Sequence, residues 1–136
     1  MKVTLDMDAY IPLRAHSTDA GLDLRSPVDF VIPPGGSVVI DTGVHVQLPD
    51  NTVGLLKSKS GLNVKNSIVS EGVIDVGYTG SIRVKLYNHG NHRYKGKAGD
   101  KISQLLVLPC LFPEIELVAE LDETERGANG FGSTGR

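Results

Sequence analysis

Residues 71–90 read EGVIDVGYTGSIRVKLYNHG, and the fold follows from them. Val73, Ile74 and Val76 make a β-prone run that holds one carboxylate, Asp75. Gly77-Tyr78-Thr79-Gly80 is a tight-turn signal. Beyond it Ile82, Val84 and Leu86 alternate with Arg83, Lys85 and Tyr87. Period-two alternation on either side of a glycine-flanked turn predicts strand, turn, strand. Asp is depleted from strands, so Asp75 stands out within its run. Taken alone, the stretch reads most simply as a hairpin whose Asp caps the turn.

Working outward, the same grammar recurs. Residues 2–5 alternate. Phe30-Val31-Ile32 precedes the strong turn Pro33-Pro34-Gly35-Gly36. Residues 38–40 and the Val44, Val46, Leu48 series read as strands separated by Asp41-Thr42-Gly43, and residues 53–56 form a short apolar run. Ile102, Gln104, Leu106 and Leu108 share one strand face, as do Ile115 and Leu117. Turn signals return every 8–12 residues or so, the spacing of sandwiches and barrels. A sustained helical period is missing, and only residues 62–65 suit a single short helical turn. The expectation is one all-β domain, a jelly roll or distorted β-barrel, over residues 1–119.

Composition sets the outer limits. The chain has 136 residues, 40% apolar and 22% charged, with net charge -2. That suits one soluble domain with one core and excludes a polybasic nucleic-acid binder. No apolar run is long enough to span a membrane, and the first ten residues lack the apolar core of a signal peptide. A cytoplasmic protein is expected, with no nucleic-acid or membrane partner. The single Cys110 excludes an intrachain disulfide.

Residues 120–136 differ in kind. An acidic run gives way to Arg126-Gly127-Ala128-Asn129-Gly130-Phe131-Gly132-Ser133-Thr134-Gly135-Arg136. Such glycine density opposes regular structure through backbone entropy, so a mobile arm is expected. The segment lacks the Lys and the following helix of a Walker P-loop. Its backbone N–H groups and hydroxyls still suit phosphate oxygens. Arg126 offers a forked cation, and Phe131 can stack on a base. Lys57, Ser58, Lys59 and Ser60 before Gly61 form a second phosphate-friendly patch. Asp23, after Gly21, suits a hard cation held through water. Gln104 on an apolar strand face needs hydrogen-bond partners. Each has a plainer reading: a floppy terminus, a solvated loop, a turn Asp, an internal hydrogen bond. The four histidines show no convincing zinc spacing, and no G-x-S-x-G occurs.

Taken in order, these pieces resemble the trimeric dUTP pyrophosphatases (dUTPases), whose five short motifs are each matched. The first is similar to Asp19-Ala20-Gly21-Leu22-Asp23-Leu24 and the second to Lys59-Ser60-Gly61-Leu62. The third resembles Gly72-Val73-Ile74-Asp75 with Gly77-Tyr78-Thr79-Gly80. The fourth resembles Gly99-Asp100-Lys101-Ile102-Ser103-Gln104-Leu105, and the fifth the segment from Arg126 to Gly135. Lys59 stands where the family usually has Arg, turning a fork into a point charge. Asn129 stands for a usual Gly, and Gly77 for a common second Asp.

The resemblance implies a jelly-roll homotrimer with active sites at subunit contacts, hydrolysing dUTP to dUMP and pyrophosphate with Mg2+. By this resemblance Asp75 is the general base that activates water, and Asp23 holds the metal ion through water. Lys59, Ser60, Gly61, Gln104 and Arg126 bind the phosphates. Backbone at Gly72 and Ile74 reads uracil, Tyr78 packs on the deoxyribose, and Phe131, Gly132 and Ser133 close over the nucleotide. The resemblance also leaves two alternatives. In a dCTP deaminase the strand after the turn carries a catalytic Glu, where this chain has Lys85. In a regulatory dUTP-binding trimer, Asp75 beside a triphosphate would oppose binding by repulsion.

Overall fold

A computed structural model describes residues 1–130. Phe131, Gly132 and Ser133 lie outside the described residues. The alternation read after the central turn is realised as a strand with every second side chain buried: Ile82, Val84 and Leu86 point into the core while Arg83, Lys85 and Tyr87 face out. In chain order the elements are β1 (Lys2–Leu5), β2 (Leu22–Arg25), β3 (Phe30–Ile32), β4 (Ser37–Gln47), β5 (Thr52–Lys57), α1 (Ser60–Asn66), β6 (Ile68–Ile74), β7 (Ser81–Asn88), β8 (Tyr94–Gly96) and β9 (Lys101–Pro109).

All strand pairs are antiparallel. Seven strands run β1-β4-β7-β6-β5-β9-β2, and β3 pairs with β8 in a separate ribbon. The sheet curls because β6 changes partner partway. Ile68, Val69 and Ser70 pair with β7, whereas residues 71–74 pair with β5. The central hairpin is therefore splayed: its two strands are joined far from the turn and separate toward it. Leu24, Ile32, Val44, Ile68, Ile82, Val84, Leu86 and Leu105 fill the concave side and are almost wholly buried. This is the expected all-β architecture, a curled half-barrel. Among the described residues no helix is long and apolar enough to cross a membrane.

Several local expectations change. The two strands anticipated around Asp41-Thr42-Gly43 are one strand, β4, with a bulge between Asp41 and His45. Gly43 takes φ +65° there, a conformation that glycine adopts without steric cost. The buried Thr42 hydroxyl donates to Ile82 O at 2.7 Å, so the bulge stays tied to β7. Helical structure extends beyond residues 62–65 to the seven residues of α1. On β9, Gln104 and Leu106 do share a face, but it is the outer one. Leu105 points into the core, and Ile102 and Ser103 are both buried because the β2–β9 register shifts between Leu24 and Arg25. The strand anticipated at Ile115 and Leu117 is not formed. Regular structure among the described residues ends at Pro109, and both side chains are almost fully exposed.

Candidate functional site

The register of four strands assembles one polar row on the outer face of the sheet. Asp23 of β2 lies opposite Gln104 of β9, Gln104 opposite Lys57 of β5, and Lys57 opposite Glu71 of β6. Directly opposed residues point to the same side of a sheet, so residues far apart in sequence share one surface. There a hollow of about 350 Å³ is lined by Asp19, Ala20, Gly21, Asp23, Lys57, Lys59, Gln104 and Leu106.

Asp23 is the electrostatic centre of this hollow. It is 6% exposed. Lys101 Nζ lies 2.7 Å from its Oδ2, and Lys59 Nζ pairs with Oδ1. Burial pushes the carboxyl up, and the hydrogen bonds and charges of Lys101 and Lys59 together outweigh that, holding it below the ordinary aspartate value. Two cations against one buried carboxylate leave local positive charge, which suits an anionic ligand. Asp23 and Lys59 were expected from the sequence. The local sequence pattern gives no sign of Lys101, because only the β2–β9 register shift turns it toward Asp23.

A buried serine network fixes the loop that delivers Lys59. Ser70 N donates to Ser58 Oγ at 2.9 Å, and the Ser70 and Ser103 hydroxyls meet at 2.9 Å. Ser103 Oγ donates to Lys57 O at 3.1 Å, and Gln104 Nε2 to Ser58 O at 3.0 Å. Gln104 thus uses its amide N–H on the loop, and its carbonyl oxygen approaches Gly21. A Cβ built at Gly21 would lie 2.5 Å from that oxygen. Ser60 and Gly61 open α1 beside Lys59.

Asp75 stands apart. It is exposed and lies just past the end of β6, where its carbonyl accepts from Tyr78 N at 3.0 Å. It opens the turn instead of lying within a strand run, as the alternation had suggested. Among the described residues its carboxylate makes no hydrogen bond or ion pair. Gly72 and Ile74 lie on the splayed edge of β6. The Tyr78 ring folds back over Gly80, where a Cβ would sit 2.5 Å from the hydroxyl, and that hydroxyl donates to Ser81 O at 2.9 Å.

The described chain does not bring Asp75 into the Asp23 hollow. Glu71 hydrogen-bonds Lys57 at the hollow's rim, and Asp75 is four residues further along, about 13 Å at strand rise. Between them the outer face turns apolar: Val73 is 63% exposed, beside Leu55 and Leu106 in the same cross-strand row. Arg126 lies in the exposed segment after β9, its Nε donating to Asn129 O at 3.0 Å, and meets neither group. A second hollow, between residues 65–67 and 89–94, holds none of the expected site residues.

No cluster of three or more His, Cys, Asp or Glu suited to a metal occurs among the described residues. A cation at the hollow would be held by Asp23, with Asp19 nearby. Its remaining positions would go to water and ligand oxygens, which is how Mg2+ is commonly bound. Such a donor set fits a hard, water-rich ion, and not a closed cage of protein ligands, once anionic ligand oxygens draw Lys59 and Lys101 away from Asp23.

The chain matches the family model described as dUTPase over residues 7–135. It is 43% identical to a deoxyuridine 5'-triphosphate nucleotidohydrolase from Gloeothece citriformis, with 99% of this chain and 96% of that one covered. Among solved structures it is similar to the Staphylococcus bacteriophage 80alpha dUTPase with dUPNHPP, at TM-score 0.92 and 33% identity, covering 99% and 98% of the two chains. It is also similar to a point mutant of the dUTPase from phage phi11 of S. aureus, described with a structural Mg(II) ion, at TM-score 0.81 and 32% identity, covering 88% and 96%.

Proposed function

Since this chain belongs to the dUTPase family and hydrolyses dUTP to dUMP and pyrophosphate, we propose that it does so at sites completed by two or more copies of the chain, in a homotrimer. One observation carries this reading. The rim of the phosphate-friendly hollow and the Asp75 carboxylate, unpaired among the described residues, sit about 13 Å apart on one chain, across an exposed apolar strip. Two surfaces of one reaction separated by apolar surface suit a neighbour that covers the strip and brings its own Asp75 to the hollow. Leu111, Phe112, Ile115 and Leu117 are further exposed apolar side chains that such a neighbour would cover.

In this reading each residue has a distinct task. Lys59, Ser60, Gly61 and Gln104 bind the phosphate chain, and the serine network holds their loop still. Lys59 and Lys101 trade their carboxylate partner for phosphate oxygens. Asp23 would hold Mg2+ through water, and the ion when bound supplies neutralisation of phosphate charge. Asp75 accepts a proton from the attacking water. An exposed carboxylate can reach a water molecule placed beside it and accept its proton. Backbone at Gly72 and Ile74, on the open edge of the splayed hairpin, hydrogen-bonds the uracil. Tyr78 packs on the deoxyribose. Arg126, Phe131, Gly132 and Ser133 close over the bound nucleotide.

The test is complementation. Asp75→Asn and Lys59→Ala chains are each assayed alone for pyrophosphate release from dUTP, then unfolded together and refolded as a mixture. With Asp75 and Lys59 supplied by different copies, about a quarter of the sites in a random mixture carry both native residues. Turnover then rises well above either variant alone. A mixture no better than the average of its parts places the whole site within one chain.

A further inference from the structure

We propose that His45 is a positioning residue for this reaction, a doubly donating latch that holds the turn bearing Asp75 and Tyr78 against the barrel. The inference rests on Asp75 and Tyr78 acting as described above. Its geometry stands without that reading.

His45 follows the β4 bulge, and such bulges re-aim the side chains beyond them. Its ring bridges two segments that lack a strand pairing with each other. Nδ1 lies 2.8 Å from Thr79 O in the turn, and Nε2 lies 3.2 Å from Asp6 Oδ1 just after β1. Both partners are acceptors: a carbonyl oxygen and a carboxylate oxygen. A neutral imidazole carries one N–H and can satisfy only one of them. The imidazolium carries two and satisfies both. The arrangement therefore selects the charged ring. The backbone agrees, because Asp6 N donates to Gly43 O at 2.8 Å and fixes Asp6 beside the bulge.

The carboxylates around the ring act in the same direction. The hydrogen bond to Thr79 O, then that to Asp6, raise the imidazole above its ordinary 6.5 against the lowering effect of burial, and the charges of Asp6 and Asp41 add to the rise. Among the described residues, Lys2 of β1 is the cation that shares the adjoining hollow with His45 and Thr79. Asp41 is itself held by Ser81, Gly43 N and Arg83. For a group whose folded pKa is raised, the contribution is complete below the ordinary value and lost as pH rises through the folded one. The latch is closed below the ordinary imidazole value of 6.5 and opens as pH rises through the folded value. Thr79 is four residues from Asp75, so an open latch frees the turn and the base loses its placement.

The experiment follows pyrophosphate release from dUTP against pH, alongside nitrogen NMR of the His45 ring in the intact protein. Losing one such hydrogen bond corresponds to roughly a 2–10-fold effect. Wild-type kcat is expected to fall by that factor on the alkaline side, with KM little changed. His45→Gln, which keeps a neutral donor for Thr79 O, is expected to abolish that decline and retain most of the activity. Asp6→Asn is expected to move it to lower pH. NMR is expected to show both ring nitrogens protonated below pH about 6.5. A neutral ring at that pH, or an alkaline decline that persists in His45→Gln, overturns the proposal. Full activity in Asp75→Asn would instead remove the role of Asp75, while the NMR titration still reports whether His45 bridges Thr79 and Asp6.

Discussion

Asp23 lies on a strand of the sheet and Asp75 in the turn that follows another strand of it, and the surroundings of these two carboxylates differ in almost every respect. Asp23 is buried and held by two lysines. Asp75 is exposed and, among the described residues, unpaired. The difference separates two tasks that one carboxylate cannot combine. A carboxylate gripped by cations organises charge, since its lone pairs are committed and its proton affinity is lowered. A carboxylate with free lone pairs can take a proton from water. In the proposed reading, environment and not residue type divides the roles.

The sharpest way to break this contrast is to remove basicity from the free carboxylate alone. Asp75→Asn keeps the shape and should cut dUTP turnover by at least about 100-fold, the low end for a positioned base, while nucleotide binding survives. Steady-state turnover together with a binding titration decides it, and a variant with most of its kcat removes Asp75 from the chemistry.

Beside Asp75, Tyr78→Ala should raise the UTP to dUTP activity ratio by about 10-fold, inside the roughly 100-fold that pocket shape commands against an added hydroxyl. Competing-substrate kinetics measure this directly, and an unmoved ratio denies Tyr78 a part in sugar selection.

Asp23→Asn tests the other side of the contrast. It leaves Lys59 and Lys101 facing each other without their anion. Breaking a buried pair costs about 3–5 kcal/mol, and partial exposure of both lysines reduces that to about 1–2 kcal/mol. Urea denaturation should show it near neutrality. The Asp23 pKa is depressed in the folded state, so the stabilisation is present above the ordinary aspartate value of 3.8 and is lost as pH falls through the folded value. The wild type and Asp23→Asn should therefore converge in stability in acid. A gap independent of pH would mean that the variant disturbs packing rather than charge.

The smallest effect is expected of Lys59→Arg. It restores the fork usual in the family at a loop already fixed by the serine network. KM for dUTP should fall about 2–3-fold, the scale of one improved charge-assisted hydrogen bond, with kcat little altered. A rise in KM would mean that the Asp23 hollow is shaped for an ammonium group.

Much of this was legible in the chain. The alternation of Ile82, Val84 and Leu86, the turn at 77–80 and the five ordered motifs all depend on neighbours in sequence. Strand periodicity, turn chemistry and motif spacing are local properties, so the all-β architecture and the family resemblance could be read directly, and Asp75, Asp23, Lys59 and Gln104 stood out as candidates. What tertiary structure alone decided depends on register between distant strands. The bulge in β4 aims His45 at Thr79, the β2–β9 shift brings Lys101 to Asp23, and the change of partner in β6 splays the hairpin and sets Asp75 beyond its end. A one-residue shift of register changes which face a side chain occupies, and pairings between residues far apart in the chain leave no mark in the local pattern. The chain therefore announces the family and the candidate groups, and only the folded sheet determines which of them meet.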